Sequence, residues 1–204
     1  DIEYRLRRAD GEVRWVRQRS YPRSAAEEEH SYLLLSDITD SKLRRRELVM
    51  SERIQAAVSH TAEVLLQPGN LERDLDEVLA VLGEAAGINR CYLFENHTSF
   101  DGRQLSTQRH EWTTPDVEAQ LDNPELEDFD YRAVGFGRWI ELMERGEAVY
   151  GPVDELPATE AEFLAAQDIR SIVVVPVYVG EDWWGFIGFD DCTERRRWSS
   201  AEIE

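Results

Sequence analysis

The stretch Ser171-Ile172-Val173-Val174-Val175-Pro176-Val177-Tyr178-Val179, then Gly180-Glu181-Asp182, then Trp183-Trp184-Gly185-Phe186-Ile187-Gly188-Phe189-Asp190-Asp191, decides the fold of this chain. Two runs rich in β-branched and aromatic residues flank a Gly-Glu-Asp turn, the pattern of a β-hairpin near the centre of a sheet. Alternation along the second run predicts Trp183, Gly185, Ile187 and Phe189 on one face and Trp184, Phe186, Gly188 and Asp190 on the other. A glycine on each face leaves room for a close approach by a helix or a bound molecule. Pro176 cannot donate a ladder hydrogen bond, so it predicts a bulge or an edge.

Working outward, Leu71, Leu75, Val78, Leu79, Leu82 and Ala86 repeat at helical spacing, and Gly87 reads as the cap. Strands follow at 91–95 and 104–112 around a turn centred on Asp101-Gly102. Residues 113–135 are acidic and irregular. A helix over 138–145 ends at Gly146, a strand lies around Ala148-Val149-Tyr150, and a short helix covers 160–167 before the hairpin. This order is α+β, a mainly antiparallel sheet with helices on one face and loops on the other. With the hairpin it resembles a GAF domain over about residues 48–204, a small-molecule sensor fold of bacterial signalling proteins. The resemblance implies a GAF domain at 67–204 and a cavity enclosed by the sheet and the segment 113–165. Phe94, Trp112, Phe136 and Trp139 are the candidates for its ligand-binding wall, each weighed against an ordinary place in the core.

The first 38 residues read as strands. Ile2, Tyr4 and Leu6 alternate with Glu3, Arg5 and Arg7, Asp10-Gly11 signals a hairpin, and 13–19 returns with Trp15. Residues 21–30 read as a polar loop and 32–35 as a third strand. Three strands make a sheet without a closed core. Glu3-Tyr4-Arg5-Leu6-Arg7-Arg8-Ala9-Asp10-Gly11, Arg14-Trp15-Val16 and the exit motif Asp37-Ile38-Thr39 resemble the C-terminal part of a PAS domain, here 1–41. The half of such a domain that forms most of its cofactor pocket is not in this sequence, so no PAS ligand carries over.

A long helix starts at Asp40, with Thr39 or Asp40 as N-cap, and runs to about Leu66 before Pro68-Gly69-Asn70. Residues 42–66 form the linker. Leu43, Glu47, Met50, Ile54, Ala57, Thr61 and Val64 fall at alternating a/d spacing, with Glu47 and Thr61 interrupting the apolar seam. Leu43, Met50, Ile54, Ala57 and Val64 therefore fit a dimeric coiled coil of modest stability, and equally fit packing against the helix's own domain. The resemblance implies that such a helix joins PAS to GAF and transmits signal by rotation or register change.

Charge is uneven. Of the 23 Lys/Arg and 42 Asp/Glu, residues 1–50 hold 11 and 10, leaving 12 and 32 for residues 51–204. So acidic a body repels nucleic-acid phosphates and anionic lipid, which argues against both as partners. No apolar run approaches ~18 residues, and no signal peptide precedes the strands. Two cysteines, Cys91 and Cys192, suit a reducing cytoplasm. The chain begins at Asp1 and stops at Glu204 inside an apparent helix start at 199–203, which reads as a fragment with its output module elsewhere.

Candidate chemistry is sparse. Asp190 and Asp191 are adjacent on a strand, point oppositely and cannot share a proton; strand-end turn chemistry is the plain reading. His97 and His110 stand roughly 13 Å apart along the ladder, too far to share a metal ion. Cys91 reads as a small core residue, and neither cysteine matches the bilin-attachment context or the cysteine cluster of sulfoxide-reducing relatives. The cyclic-nucleotide pattern of other GAF domains is missing, and the cofactor stays unknown. The expectation is a sensory and relay fragment, not itself an enzyme, from a cytoplasmic homodimer with histidine kinase as the leading output. Alternatives are a ligand-free GAF dimerisation platform, or part of a diguanylate cyclase, phosphatase or transcription regulator.

Overall fold

The computed structural model describes residues 1–25, 28–66, 71–199 and 203, with their side chains except those of 22–25, 28–32 and 71–73. The expected helix stop at Pro68-Gly69-Asn70, the side chain of Leu71 and most of the expected helix start at 199–203 lie outside these residues. Two units divide the chain, Asp1–Glu52 and Arg53–Glu204.

In the first unit β1 (Ile2–Arg7), β2 (Val13–Ala25) and β3 (Glu28–Asp37) form an antiparallel sheet in that order. The polar stretch 21–30, expected as a loop, extends this ladder as far as Ala25↔Glu28. Ladder bonds join backbone to backbone, so a polar sequence does not by itself prevent pairing. Val16 is buried, while Ile2, Leu6, Leu33 and Leu35 stay exposed, as befits a sheet with no closed core. Helix α1 (Thr39–Leu66) follows directly. The Asp37-Ile38-Thr39 motif ties its start to β2. Ile38 N donates to Trp15 O at 2.8 Å, Trp15 N to Thr39 Oγ1 at 2.8 Å, and Thr39 N to Asp37 Oδ1 at 2.9 Å. The Thr39 hydroxyl, expected as a cap, is thus spent on the sheet, and Asp37 meets the first helical N–H instead.

The second unit contains α2 (Leu71–Ala86), β4 (Arg90–Thr98), β5 (Gln104–Thr113), β6 (Phe129–Asp130), α3 (Gly137–Met143), β7 (Val149–Pro152), α4 (Ala158–Ala165), β8 (Ser171–Val179) and β9 (Asp182–Asp191). The strands form one six-stranded antiparallel sheet ordered β6-β5-β4-β9-β8-β7, so the diagnostic hairpin β8–β9 lies within it. Ile172, Val173 and Val174 are at most 1% exposed, which explains their continuous apolar run. Pro176 sits beyond the last β7 partner, Val174, so its missing N–H costs no ladder bond.

One face carries α2 and the apolar set Leu79, Ile88, Cys91 and Leu93, with Trp112, Ile187 and Phe189 against them. The opposite face carries Tyr92, Phe94 and Phe186 beneath α3, α4 and the loop region. A bulge between Val177 and Tyr178 adds a residue on β9, pairing Val177 with Gly185 but Tyr178 with Trp183. The extra residue inverts the alternation ahead of it. Trp183 therefore joins the Phe186 face and Trp184 the Ile187 face, the reverse of the simple period-two expectation. The two glycines make room for neighbours within the sheet itself: a Cβ on Gly188 would lie 2.1 Å from the Tyr92 ring, and one on Gly185 2.0 Å from Phe94 O.

The part of α1 in this unit turns Ala57 inward (5% exposed) and leaves Ile54, Thr61 and Val64 half-buried. Val58, Leu65 and Leu66 remain exposed, as do Leu43, Leu48 and Val49 earlier in the helix, while Met50 is half-buried. Among the described residues no helix is long and apolar enough to cross a membrane.

Candidate functional site

Between the Phe94 face of the sheet and α3–α4 lies a cavity of about 40 Å³. Its apolar wall is aromatic. Phe94 stacks on Phe186 with centroids 4.6 Å apart, Phe136 meets Trp139 edge-on at 4.8 Å, and Trp139 meets Phe186 edge-on at 6.1 Å. Trp139 is fixed by its indole N–H, which donates to Glu160 Oε2 at 3.0 Å. Glu160 is 1% exposed and also holds the Arg138 guanidinium through both oxygens, at 3.0 and 2.6 Å. A charge-assisted pair of this geometry pins α4 to α3 over the cavity.

The other end of the cavity is polar. Arg90 (2% exposed) pairs across the sheet with Asp190 (0%), with Nη1 3.4 Å from Asp190 Oδ2. Tyr92 donates its hydroxyl to Asp190 Oδ1 at 3.1 Å. On the other side of the guanidinium, Arg90 Nε lies 3.5 Å from Glu111 Oε1, and Nη2 donates to Glu118 O at 2.9 Å. Glu111 in turn accepts the backbone N–H groups of Gln120 and Leu121. One cation thus serves two buried carboxylates and fastens the 118–121 loop to the sheet. Burial is the main force on Asp190, lifting its pKa to about 7 against the pull of Arg90 and Tyr92. Burial and the neighbouring Asp190 carboxylate push the Tyr92 hydroxyl well above its usual range. Next along β9, Asp191 has the ordinary strand-end role, accepting from the N–H groups of Thr193 and Glu194.

Residues 70–204 match the family model of the GAF domain. This chain belongs to the GAF family. Over 167 residues, 82% of its length, it is 41% identical to a methanogenesis regulatory histidine kinase, FilI, of Methanothrix harundinacea. It spans only 19% of that protein. Among solved structures, the phycocyanobilin-bound GAF domain of a cyanobacterial phytochrome superposes with a TM-score of 0.60 at 16% identity, covering 73% of this chain and 85% of that one. A phycoerythrobilin-bound GAF domain of a cyanobacterial phytochrome gives 0.59 at 16%, covering 75% and 88%. At such identities the likeness is one of fold, a curled antiparallel sheet flanked by helices.

Of the four residues singled out for the GAF cavity, the structure brings Phe94, Phe136 and Trp139 together and sends Trp112 elsewhere. Trp112 pairs with Cys91 on the α2 face, where its ring fills the space over Gly83. Cys91 and Phe94 are an odd number apart, so Trp112 and Phe94 point oppositely. Among the polar residues of the cavity wall, Arg90 and Gln108 escaped sequence reasoning, as did Glu111, which pairs with Arg90 behind it. Alternation from Tyr92 and Phe94 already places Arg90 on the aromatic face, which is the signal that could have found it. His97 and His110 bond to separate elements, His97 to Thr107 on β5 and His110 to Asp76 on α2. Cys91 is buried, and burial raises its thiol pKa as it does that of Cys192, pushed up to about 12.

Proposed function

We propose that this chain is the sensory and relay part of a signal-transduction protein, most simply a histidine kinase whose catalytic apparatus is not among these residues. The carrying observation is the 41% identity to a regulatory histidine kinase over 82% of the chain. That stretch is longer than the GAF match at 70–204, so the likeness reaches into α1. The finer reading has three parts: the end of a PAS domain at 1–41, a signalling helix at 42–66 and a GAF sensor at 67–204. The sheet β1–β3, joined to α1 through Asp37, Ile38 and Thr39, supports the first part. The second works in a cytoplasmic homodimer. Leu43, Val58 and Leu65 stay exposed on α1, and Val58 and Leu65 are one heptad apart, which supports contact with a second copy. Ile54, Ala57 and Val64 then hold the helix to its own GAF unit. A shift in that unit biases the helix pair between two arrangements.

Glu47 is the exposed polar residue that interrupts the seam. Glu47→Leu should raise self-association by about tenfold in sedimentation velocity and lock kinase output in the intact parent. Unchanged self-association would reject relay through a helix pair. A ligand-free dimerisation platform is the second reading, favoured by the small aromatic-filled cavity. Native mass spectrometry of freshly purified protein separates them: a retained small molecule supports sensing, and a bare-chain mass supports the platform.

A further inference from the structure

We infer that the cavity of the GAF unit binds a small, neutral, planar molecule carrying a hydrogen-bond acceptor such as an amide carbonyl, an inference that rests on the sensory reading above. Gln108 carries it. Its side chain lines the cavity, it is 7% exposed, and its Nε2 is buried with no hydrogen-bond partner among the described residues. A buried amide donor without an acceptor is held at a cost, and a ligand's oxygen or ring nitrogen would remove that cost. Gln108 pairs with Phe94 on the ladder and follows two buried residues, Ser106 and Thr107, so β5 holds it at this place.

Charge decides the class. Arg90 is the one cation among the described lining residues; it stands between Glu111 at 3.5 Å and Asp190 at 3.4 Å, and its Nε, buried without a hydrogen bond, is a second donor for a ligand's acceptor. No positive charge is left over for an anion, and a cation would have to displace a guanidinium from its carboxylates. What remains is amide chemistry at one end and flat rings at the other, with Phe94, Phe136 and Trp139 forming the wall. The volume of about 40 Å³ sets the size, room for roughly three waters or about four heavy atoms without moving a wall.

Acetamide, acetate and acetamidinium share size and shape and differ in charge. Each is titrated into the chain while the Trp139 indole N–H is followed by ¹H–¹⁵N NMR. Acetamide should give saturable shifts in the millimolar range, and the two ions should bind about tenfold more weakly or not at all. Gln108→Leu should lose acetamide binding while its thermal midpoint stays level or rises, because an unpaired amide has gone. Gln108→Met serves the same purpose should the branched residue fail to fold. Acetate or acetamidinium binding as tightly as acetamide, acetamide binding that survives both variants, or no saturable shift at all would each overturn the inference. These outcomes are separable from the relay reading, since Glu47→Leu reports on self-association whether or not the cavity takes acetamide.

Discussion

The two faces of the six-stranded sheet are built from the same strands and solve different problems. On the α2 face β4, β5 and β9 present Cys91, Leu93, Trp112, Ile187 and Phe189, side chains that need only to be kept from water. On the other face the same strands present Arg90, Tyr92, Gln108, Glu111 and Asp190 beside Phe94 and Phe186. Burial of apolar area is forgiving of detail, whereas buried charge has to be matched group by group. The α2 face is therefore built for packing. The cavity face keeps polar groups that packing alone would have replaced with leucine.

Arg90→Met should break this contrast most severely. At about pH 8, above the pKa of Asp190, it leaves the Glu111 and Asp190 carboxylates buried without their cation, a loss of about 3–5 kcal/mol in urea denaturation. Leu79→Ala on the α2 face should cost about 3 kcal/mol through lost area and a cavity. A cost for Arg90→Met well below that of Leu79→Ala would mean that the charge cluster is not the organising feature of its face.

Asp190 sharpens the same point through pH. Its folded pKa of about 7 lies above an unfolded value near 3.9. Between those values the folded state holds a proton that the unfolded chain has lost. Asp190's contribution is thus fully present below about pH 4, falls as pH rises, and is gone above about pH 7. Asp190→Asn keeps a neutral side chain throughout. Its stability relative to wild type should therefore rise across that window by something of order 3 kcal/mol. A wild-type-minus-variant difference that is flat from pH 4 to 7 would mean that the folded carboxyl is already ionised across that window.

Each face also has a glycine that receives an aromatic ring. A Cβ on Gly188 would meet the Tyr92 ring at 2.1 Å, and one on Gly83 would meet the Trp112 ring at 2.4 Å. The two substitutions should nevertheless differ. Tyr92 is buried and tied to Asp190, so Gly188→Ala must break a hydrogen bond as well as move a ring, at about 2–3 kcal/mol. Trp112 is half-buried and freer to move, and alanine favours the helix carrying Gly83, so Gly83→Ala should cost about 1 kcal/mol or less. Equal costs by thermal denaturation would remove the claim that the cavity face is the stiffer of the two.

Much of this was legible from residue order alone. The continuous run Ile172–Val175, the turn at Gly180 and the alternation beyond it placed the hairpin, and the helical repeat from Leu75 to Ala86 placed α2. The bulge at Leu93/Phe94 was not legible, because an extra residue in a ladder leaves no mark in composition; the one at Val177/Tyr178 lies beside Pro176, which predicted a bulge or an edge but not the strand on which the extra residue falls. The bulge at Val177/Tyr178 explains why Trp183 and Trp184 exchanged faces. Trp112 is a different matter: a turn at Asp101-Gly102 already pairs it with Cys91, on the wrong side for a partner of Phe94. Arg90 and Glu111 were passed over because charged residues near strand ends usually meet water, and only the register shows that these two meet Asp190 and a loop instead.

The smallest expected effect tests the empty side of the contrast. Within the second unit, Ala57, Val58, Ala85, Val175 and Trp198 line an apolar space of about 230 Å³ on the α2 face, several times the volume across the sheet. Ala85 is half-buried on its edge. Ala85→Leu should therefore add apolar contact without forcing a strained rotamer, changing stability by less than about 1 kcal/mol and in the favourable direction. Differential scanning calorimetry should record a level or higher midpoint, where added bulk at Gly188 lowers it. A clear loss at Ala85 would mean that the space is closed in solution by rearranged side chains, and that both faces are packed to the same tolerance.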